Sequence, residues 1–411
     1  MQRIIVVGAG IVGVSAAIWL RRAGKEVTLV DRSEPGQGTS HGNAGVLAAC
    51  SVAPVTGPGL VAKAPRMLLD PKFPLFLRWR YLPRLAPWLR KYLSHANDAD
   101  TRRIAVGLQN VIGDSVDQHE ALSSGTPAER FLRRSDYVFA YRNRAAFEAD
   151  AYVWALRREA GFVPELVEGG AVREAEPALG DEIGLLAVMK DHGYILDPGA
   201  YVRELSRVFV DFGGTLLQAS VEGFELVGGR IAAVLTSRGR LACDAAVLAS
   251  GVWSKPLMQK LGIEVPLETE RGYHIIFKNP SIALRAPTMV ASGKFVATSM
   301  NEGLRCAGMI EFGGLDADAS KAPLELLRRN VKAVLPNLNA DEEVPWLGHR
   351  PAPSDSLPLI GEVRGTGVYA AFGHHHIGLT GGPKTGRIVA AMIAGTPPNI
   401  DVGPYDPQRF A

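Results

Sequence analysis

The sequence predicts an α/β protein in which a discontinuous dinucleotide-binding domain carries an inserted domain of mixed α and β structure. Three observations predict it. The chain opens on a strand, a glycine turn and a helix, and a second strand then ends in an acid at Asp31. Short β-rich runs dominate from Gly214 onward. The chain closes on another glycine-rich turn and helix, so dinucleotide-type elements stand at both ends of a strand-rich middle.

Each element has its own signal. Arg3 to Val7 is a β-branched run, and Gly8 to Gly13 is the turn. Val14 to Ala23 reads as a helix stopped at Gly24, a fitting C′ residue. Val27 to Val30 is the second strand. Residues 54–95 change character: prolines recur, Trp79, Tyr81, Trp88 and Tyr92 lie between them, and Arg66, Lys72, Arg78, Arg80, Arg84, Arg90 and Lys91 add positive charge. Residues 101–122 and 145–160 read as helical. Thr215–Leu217, Gly223–Val227, Ile231–Ser237 and Ala245–Ala249 read as strands, with Gly228-Gly229 as a hairpin turn. Residues 263–312 continue as strands. Leu324–Leu335 and Pro383–Ala394 read as helices. The division this suggests is 1–60, 195–255 and 346–411 for the cofactor domain, with 61–194 and 256–345 for a substrate or cap domain.

Composition narrows the function classes. With 411 residues, two domains are the reasonable expectation. A net charge of only +3 argues against a nucleic-acid-binding protein. Cys50, Cys243 and Cys306 lie far apart without a C-x-x-C pair, which argues for buried thiols rather than a disulfide framework or zinc site. No basic leader precedes the first strand and no apolar run is long enough to span a bilayer. The expectation is a cytoplasmic protein, with peripheral contact on the inner face of the cytoplasmic membrane as an alternative. The 65–93 stretch admits two readings: a helical cover over an active site, or a surface patch of aromatic and cationic residues for anionic lipid.

Four motifs carry chemistry. In Gly8-Ala9-Gly10-Ile11-Val12-Gly13, the first glycine permits the turn, the second admits a pyrophosphate, and the third lets helix and strand pack closely. The helix N-terminus favours an anion. Asp31, eighteen residues past Gly13, suits ribose hydroxyls and argues against a 2′-phosphate. The second is Gly38 to Gly45, small and polar. The third is Ala246 to Ser254, a buried strand running into Ser250-Gly251. The fourth joins Gly348-His349-Arg350-Pro351 to Gly373-His374-His375-His376-Ile377-Gly378-Leu379-Thr380-Gly381-Gly382. Adjacent histidines point different ways and no His, Cys or carboxylate cluster stands near them in sequence, so no metal is expected.

Together these motifs resemble the D-amino-acid-oxidase-like superfamily of FAD-dependent oxidoreductases, in particular its bacterial D-amino acid dehydrogenase branch, with glycine oxidase more distant. The likeness runs nearly end to end. It implies a Rossmann-like FAD-binding domain, discontinuous in sequence, with an inserted α+β substrate domain on a mixed, largely antiparallel sheet. It implies noncovalent FAD, since no cysteine matches the position of covalent flavin attachment. By position, Gly8, Gly10, Ile11, Val12, Gly13, Asp31 and Arg32 fall to the ADP half. Thr39, Ser40, Asn43, Ala44, Gly45 and Val46 form the loop by the pyrophosphate and flavin. Val221 meets the adenine, and Ser250, Gly251 and Trp253 form a second cofactor segment. His375, Gly378, Leu379 and Thr380 lie beside the flavin pyrimidine ring.

The resemblance also implies that Arg350 grips a substrate carboxylate, a task suited to a guanidinium that bonds it twice and stays charged. A structural ion pair is the alternative. Tyr273 or His274 would line the substrate cavity, and alternation selects one of them, His274 being the expected one. Glycine oxidase-like members have a polar or basic pair where His376-Ile377 stand here, so substrate size and polarity stay open. The implied reaction is oxidative deamination of a D-amino acid, or of an imino acid such as a proline derivative. Hydride moves from Cα to the flavin, the imine hydrolyses, and electrons go to a quinone or another acceptor. No side chain needs to be an obligatory base. The alternatives are an oxygen-using glycine or sarcosine-type oxidase, and a flavin-holding subunit of a larger complex.

Overall fold

The computed structural model describes residues 1–70 and 73–411; Pro71 and Lys72 of the basic stretch lie outside the described residues, as do the side chains of Lys63, Pro65 and Leu69. Two large sheets organise the chain. The first has six strands, in the order Leu359–Glu362, Val368–Phe372, Ala245–Leu248, Arg3–Val7, Glu26–Asp31 and Thr215–Gln218. All neighbours run parallel except the Leu359–Glu362 strand, antiparallel to Val368–Phe372. Strands from the two ends and the middle of the chain thus share one sheet, as a discontinuous Rossmann-like unit requires.

Helices Ile11–Arg22, Pro198–Asp211 and Gly378–Ala394 share one core with this sheet. The first and last helices meet closely because Gly386 has no side chain: a Cβ there would stand 2.5 Å from the Ala16 backbone nitrogen. The opposite core is closed by the Val221–Val227, Arg230–Thr236 and Gly239–Ala242 meander and the Ser254–Lys260 helix. Gly228 and Gly229, both at positive φ, form its first turn as expected.

The second sheet has ten strands and is mixed but largely antiparallel. Its parallel pairs are Thr288–Val290 with Leu132–Tyr141, and Leu75–Leu77 with Gly303–Phe312. Near one edge the long strand Leu267–Lys278 lies between Gly303–Phe312 and the edge strand Glu342–Pro353.

Several expected boundaries are corrected. Strand Glu342–Pro353 pairs along its length with Leu267–Lys278, so Trp346 to Pro353 stand in the second sheet rather than beginning the cofactor unit. Helices Asp98–Ile112 and Ser115–Ser123 replace a single helix over 101–122, and they join the core of the first sheet rather than the inserted unit. Residues 145–160 divide into Arg144–Glu148 and Ala151–Glu159. Strands Leu132–Tyr141 and Leu185–Ile195 and the helix Pro198–Asp211 carried no signal we read.

The final helix begins at Gly378, not at Pro383. Pro383 lacks the N–H that would bond the Leu379 carbonyl. His119 supplies that bond instead, its Nε2 donating to Leu379 O at 2.9 Å while Nδ1 meets the Tyr201 hydroxyl. Burial lowers the His119 pKa to about 4, so the neutral ring serves as a structural donor.

The three cysteines are unpaired and buried. Burial pushes the Cys50 thiol up to about 12, far from a reactive thiolate. Among the described residues no helix is long and apolar enough to cross a membrane.

Candidate active site

A single cavity of about 1300 Å³ runs from the glycine turn to the second sheet. It exceeds the roughly 300–1,000 Å³ of small-molecule sites, so there is room for a long ligand and a second, small one. At one end, Asp31 is fixed by two backbone donors, Ala9 N–H at 2.7 Å and Ser33 N–H at 2.9 Å. Arg32 lies over the Trp253 ring, 4.1 Å from its centroid. Val221, Ser250 and Gly251 complete this end.

Beside it the N-terminus of helix Ile11–Arg22 faces the cavity. Its Gly10 cap offers no side chain and no acid stands in the first turn. Ser40 Oγ accepts the Ile11 N–H at 3.1 Å. Gly8, at φ +105°, allows the turn to pass Ala249, whose carbonyl a Cβ would approach to 2.6 Å. A helix start whose own cap residue has no side chain, glycine on its approach and a held carboxylate beyond it fit the ADP half of FAD. Gly13 does not line the cavity, and its part is packing against the Gly8 carbonyl.

The Gly38–Gly45 loop is held by three strands of the second sheet. Thr39 Oγ1 donates to His349 O, and Thr298 Oγ1 donates to Ala44 O. The buried Arg305 donates to the carbonyls of His41 and Asn43. Asn43 Oδ1 accepts the Gly45 N–H, and Gly45 adopts positive φ. Gly45 itself faces Ile195 and Met300 rather than the cavity, whereas Asn43, Ala44 and Val46 line it. Gly378, Leu379 and Thr380 bring the final helix's N-terminus to the same wall.

At the far end Arg350 stands over the second sheet with its side chain 21% exposed. It rests there because Gly272, directly below, has no Cβ; one would lie 2.4 Å from the guanidinium carbon. Gly42 and Gly348 give the Trp346 ring its space in the same way. Arg350 Nη1 donates to Glu270 Oε1 at 2.8 Å, while its remaining donors make no hydrogen bond among the described residues. Glu270 is buried and also bonds His375 Nε2 at 2.7 Å and His376 Nε2 at 3.2 Å. Burial opposes its charge, but His376 and His375 hold its carboxyl well below the usual carboxylate range.

Three expectations are corrected here. The histidines do have a carboxylate partner, Glu270, distant in sequence. His374 turns away to Thr385 Oγ1, whereas His375 and His376 converge on Glu270, putting three ligand-type atoms within 4.8 Å of one another. Arg350 shares that carboxylate, so a cation already stands where a metal would sit.

Next, His274 is not on the cavity wall. Its ring stacks on Trp346, which is, and its Nδ1 donates to Gly42 O; burial and then Arg305 lower its pKa to about 3. Tyr273 reaches the wall, but its hydroxyl is committed to Glu311 at 2.5 Å.

Lastly, Trp88 and Tyr92 of the basic stretch are not surface aromatics. They are buried and stacked, and the Trp88 indole donates to Ala352 O. Sequence reasoning missed Glu270, although four consecutive polar residues, Glu268 to Arg271, ahead of the mostly apolar run Tyr273–Phe277 were a usable sign. It also missed His376 and Trp346 as wall residues.

The class follows from a nucleotide cradle and a guanidinium facing one cavity: residues 3–392 match the DAO family, FAD dependent oxidoreductase, and the chain belongs to it. It is 38% identical over 417 residues to a D-amino-acid oxidase of Bradyrhizobium diazoefficiens, covering 100% of this chain and 99% of that protein. It is 31% identical to a D-amino acid dehydrogenase of Sinorhizobium medicae, over 97% and 98% of the two chains. Its fold matches glycine oxidase from Geobacillus kaustophilus with a TM-score of 0.75 at 19% identity, each chain covered completely. The chain is thus an FAD-dependent oxidoreductase.

Proposed function

We propose that this enzyme oxidises the Cα–N bond of a D-amino acid. The carrying observation is Arg350, a half-shielded guanidinium with unused donors facing the cavity that holds the cofactor cradle. It orients the carboxylate by two parallel bonds. Asp31 holds ribose hydroxyls, the Ile11–Arg22 helix start faces the pyrophosphate, and Val221 with Arg32 and Trp253 encloses the adenine. The N-terminus of the Gly378–Ala394 helix favours negative charge at the flavin. When bound, FAD supplies the acceptor for the electron pair leaving Cα. The imine is then hydrolysed to a 2-oxo acid. The first sheet with its helices serves as the cofactor unit and the ten-stranded sheet as the substrate unit.

The rest of the cavity wall indicates the side chain. Leu68, Leu75, Leu85, Met289, Val296 and Met309 all line it. An acidic side chain would lose hydration against these six residues, while Lys294, also on the wall, is exposed and stays hydrated. Anaerobic mixing with a panel of D-, L- and N-methyl amino acids tests both points. D-leucine, D-methionine and D-phenylalanine are expected to bleach the flavin, and D-aspartate to do so at least about 100-fold less efficiently, equivalent to roughly 3 kcal/mol. Absence of bleaching by every member of the panel ends the amino-acid reading.

We assign a quinone or similar carrier as acceptor. The name of the Bradyrhizobium relative favours the second reading, direct use of dioxygen. Peroxide formed stoichiometrically during aerobic turnover decides for the oxidase.

The outer face of residues 60–93 supports contact with anionic lipid. Arg66, Arg80, Arg84, Arg90 and Lys91 are exposed there, and Trp79 is 59% exposed. The inner face lines the cavity, so one segment can serve both as cover and as lipid contact. Sedimentation with phosphatidylglycerol vesicles at low salt is expected, and is expected to weaken with added salt. Protein left entirely in the supernatant at low salt rejects the contact.

A further inference from the structure

An α-amino acid arrives at neutral pH as its ammonium form, yet only the free amine has a lone pair to form the C=N bond as hydride leaves. One proton must therefore be removed from nitrogen first. We propose that His376, oriented by Glu270, accepts that proton. The proposal rests on the amino-acid reading above.

The geometry carries it. A carboxylate can only accept hydrogen bonds, so Glu270 fixes the proton of His376 on Nε2 and leaves a lone pair on Nδ1. That Nδ1 has no hydrogen-bond partner among the described residues, and the ring lines the cavity with its side chain 37% exposed. Arg350 and His376 meet the same oxygen, Glu270 Oε1. They are therefore neighbours, and a carboxylate seated on Arg350 brings the adjacent ammonium beside the imidazole. A carboxylate behind an imidazole that faces the reactant sets its tautomer and stabilises the imidazolium once formed.

The backbone supports the same assignment. His375 adopts φ +48°, rare for a residue with a side chain. This turn sends His375 and His376 to one carboxylate, while His374 bonds Thr385. Left-handed backbone away from glycine persists where surrounding contacts enforce it, often at functional sites.

The step balances simply. The ammonium N–H bond breaks and its proton moves to His376 Nδ1, giving amine and imidazolium. The amine's lone pair then forms the C=N bond as Cα–H departs as hydride to the bound FAD. The imidazolium returns its proton to water. The charged or titratable groups facing His376 are Glu270 from the Leu267–Lys278 strand, His375 from its own turn and Arg350 from the Glu342–Pro353 strand. Burial lowers its pKa and Glu270 opposes; the net direction leaves the ring neutral at pH 7 with Nδ1 unprotonated but weakens it as a base, so the proton it takes passes on to water rather than resting there.

The test is the pH dependence of kcat/KM for anaerobic flavin reduction in His376→Gln, which keeps a donor for Glu270 but has no base. At pH 7 the variant is expected to fall about 100-fold, the lower range for a positioned proton acceptor. It should then recover tenfold per pH unit and approach wild type above the amine pKa. A uniform loss at every pH, or no loss, overturns the proposal. For a second arm, added imidazole should restore His376→Ala at pH 7, and failure to do so counts against it. A wild type that no amino acid bleaches sinks the underlying reading instead, so the two failures are distinguishable.

Discussion

Gly13→Ala is expected to purify colourless. The added Cβ would stand 1.8 Å from the Gly8 carbonyl oxygen and 3.0 Å from its carbon, and both are backbone atoms that no rotamer change can move. The helix start must swing off the turn, or the turn must open. Either displaces Gly10 and Ile11 from the cavity wall, where the helix N-terminus faces the proposed pyrophosphate position. Overpacking of this kind costs about 1–3 kcal/mol in fold stability. The loss of flavin affinity should be larger, because the donors depend on position for their strength. Gly57→Ala is the control, since a Cβ there meets nothing within 4 Å. The flavin absorbance of each purified protein, before and after incubation with FAD, decides the matter. A yellow Gly13→Ala protein with wild-type stoichiometry refutes the account of that turn.

The glycine turn was legible in sequence because its physics is local: one turn, one helix start and one acid lie within a short span. The C-terminal glycine segment and Arg350 were legible as motifs for the same reason. Glu270 was not, because its partners come from two other elements, and pairing of Glu270 with Arg350 depends on strand register. The His274 expectation failed for a related reason. Alternation fixes which face a residue takes, and His274 does share a face with Glu270 and Gly272, but it does not say what covers that face. Trp346, admitted by Gly42 and Gly348, covers it. The boundary at 346 failed because Gly348 to Pro351 groups as a motif with the C-terminal glycine segment, whereas these residues complete a long strand. The basic stretch divided its residues between two faces, which composition cannot separate.

Arg350→Ala is expected to raise KM for D-amino acids by about 30- to 150-fold, from a loss of roughly 2–3 kcal/mol for a charge-assisted pair. Two effects add. The substrate carboxylate loses its donors, and Glu270 loses its full cation, so an under-compensated buried anion faces the incoming carboxylate. If Arg350 were only a structural partner of Glu270, stability would fall and KM would hold. The geometry argues for both roles, because only Nη1 is committed to Glu270 and a guanidinium has five donors. Arg350→Lys keeps the charge but not the fork, and should fall between wild type and alanine. Gly272→Ala separates position from charge. Its Cβ would reach 2.4 Å from Arg350 Cζ and evict the guanidinium while leaving it in the protein. It should therefore reproduce most of the KM increase with the arginine intact. Concentration dependence of anaerobic flavin reduction measures all three. An unchanged KM in Arg350→Ala, with flavin still bound, takes Arg350 out of substrate recognition.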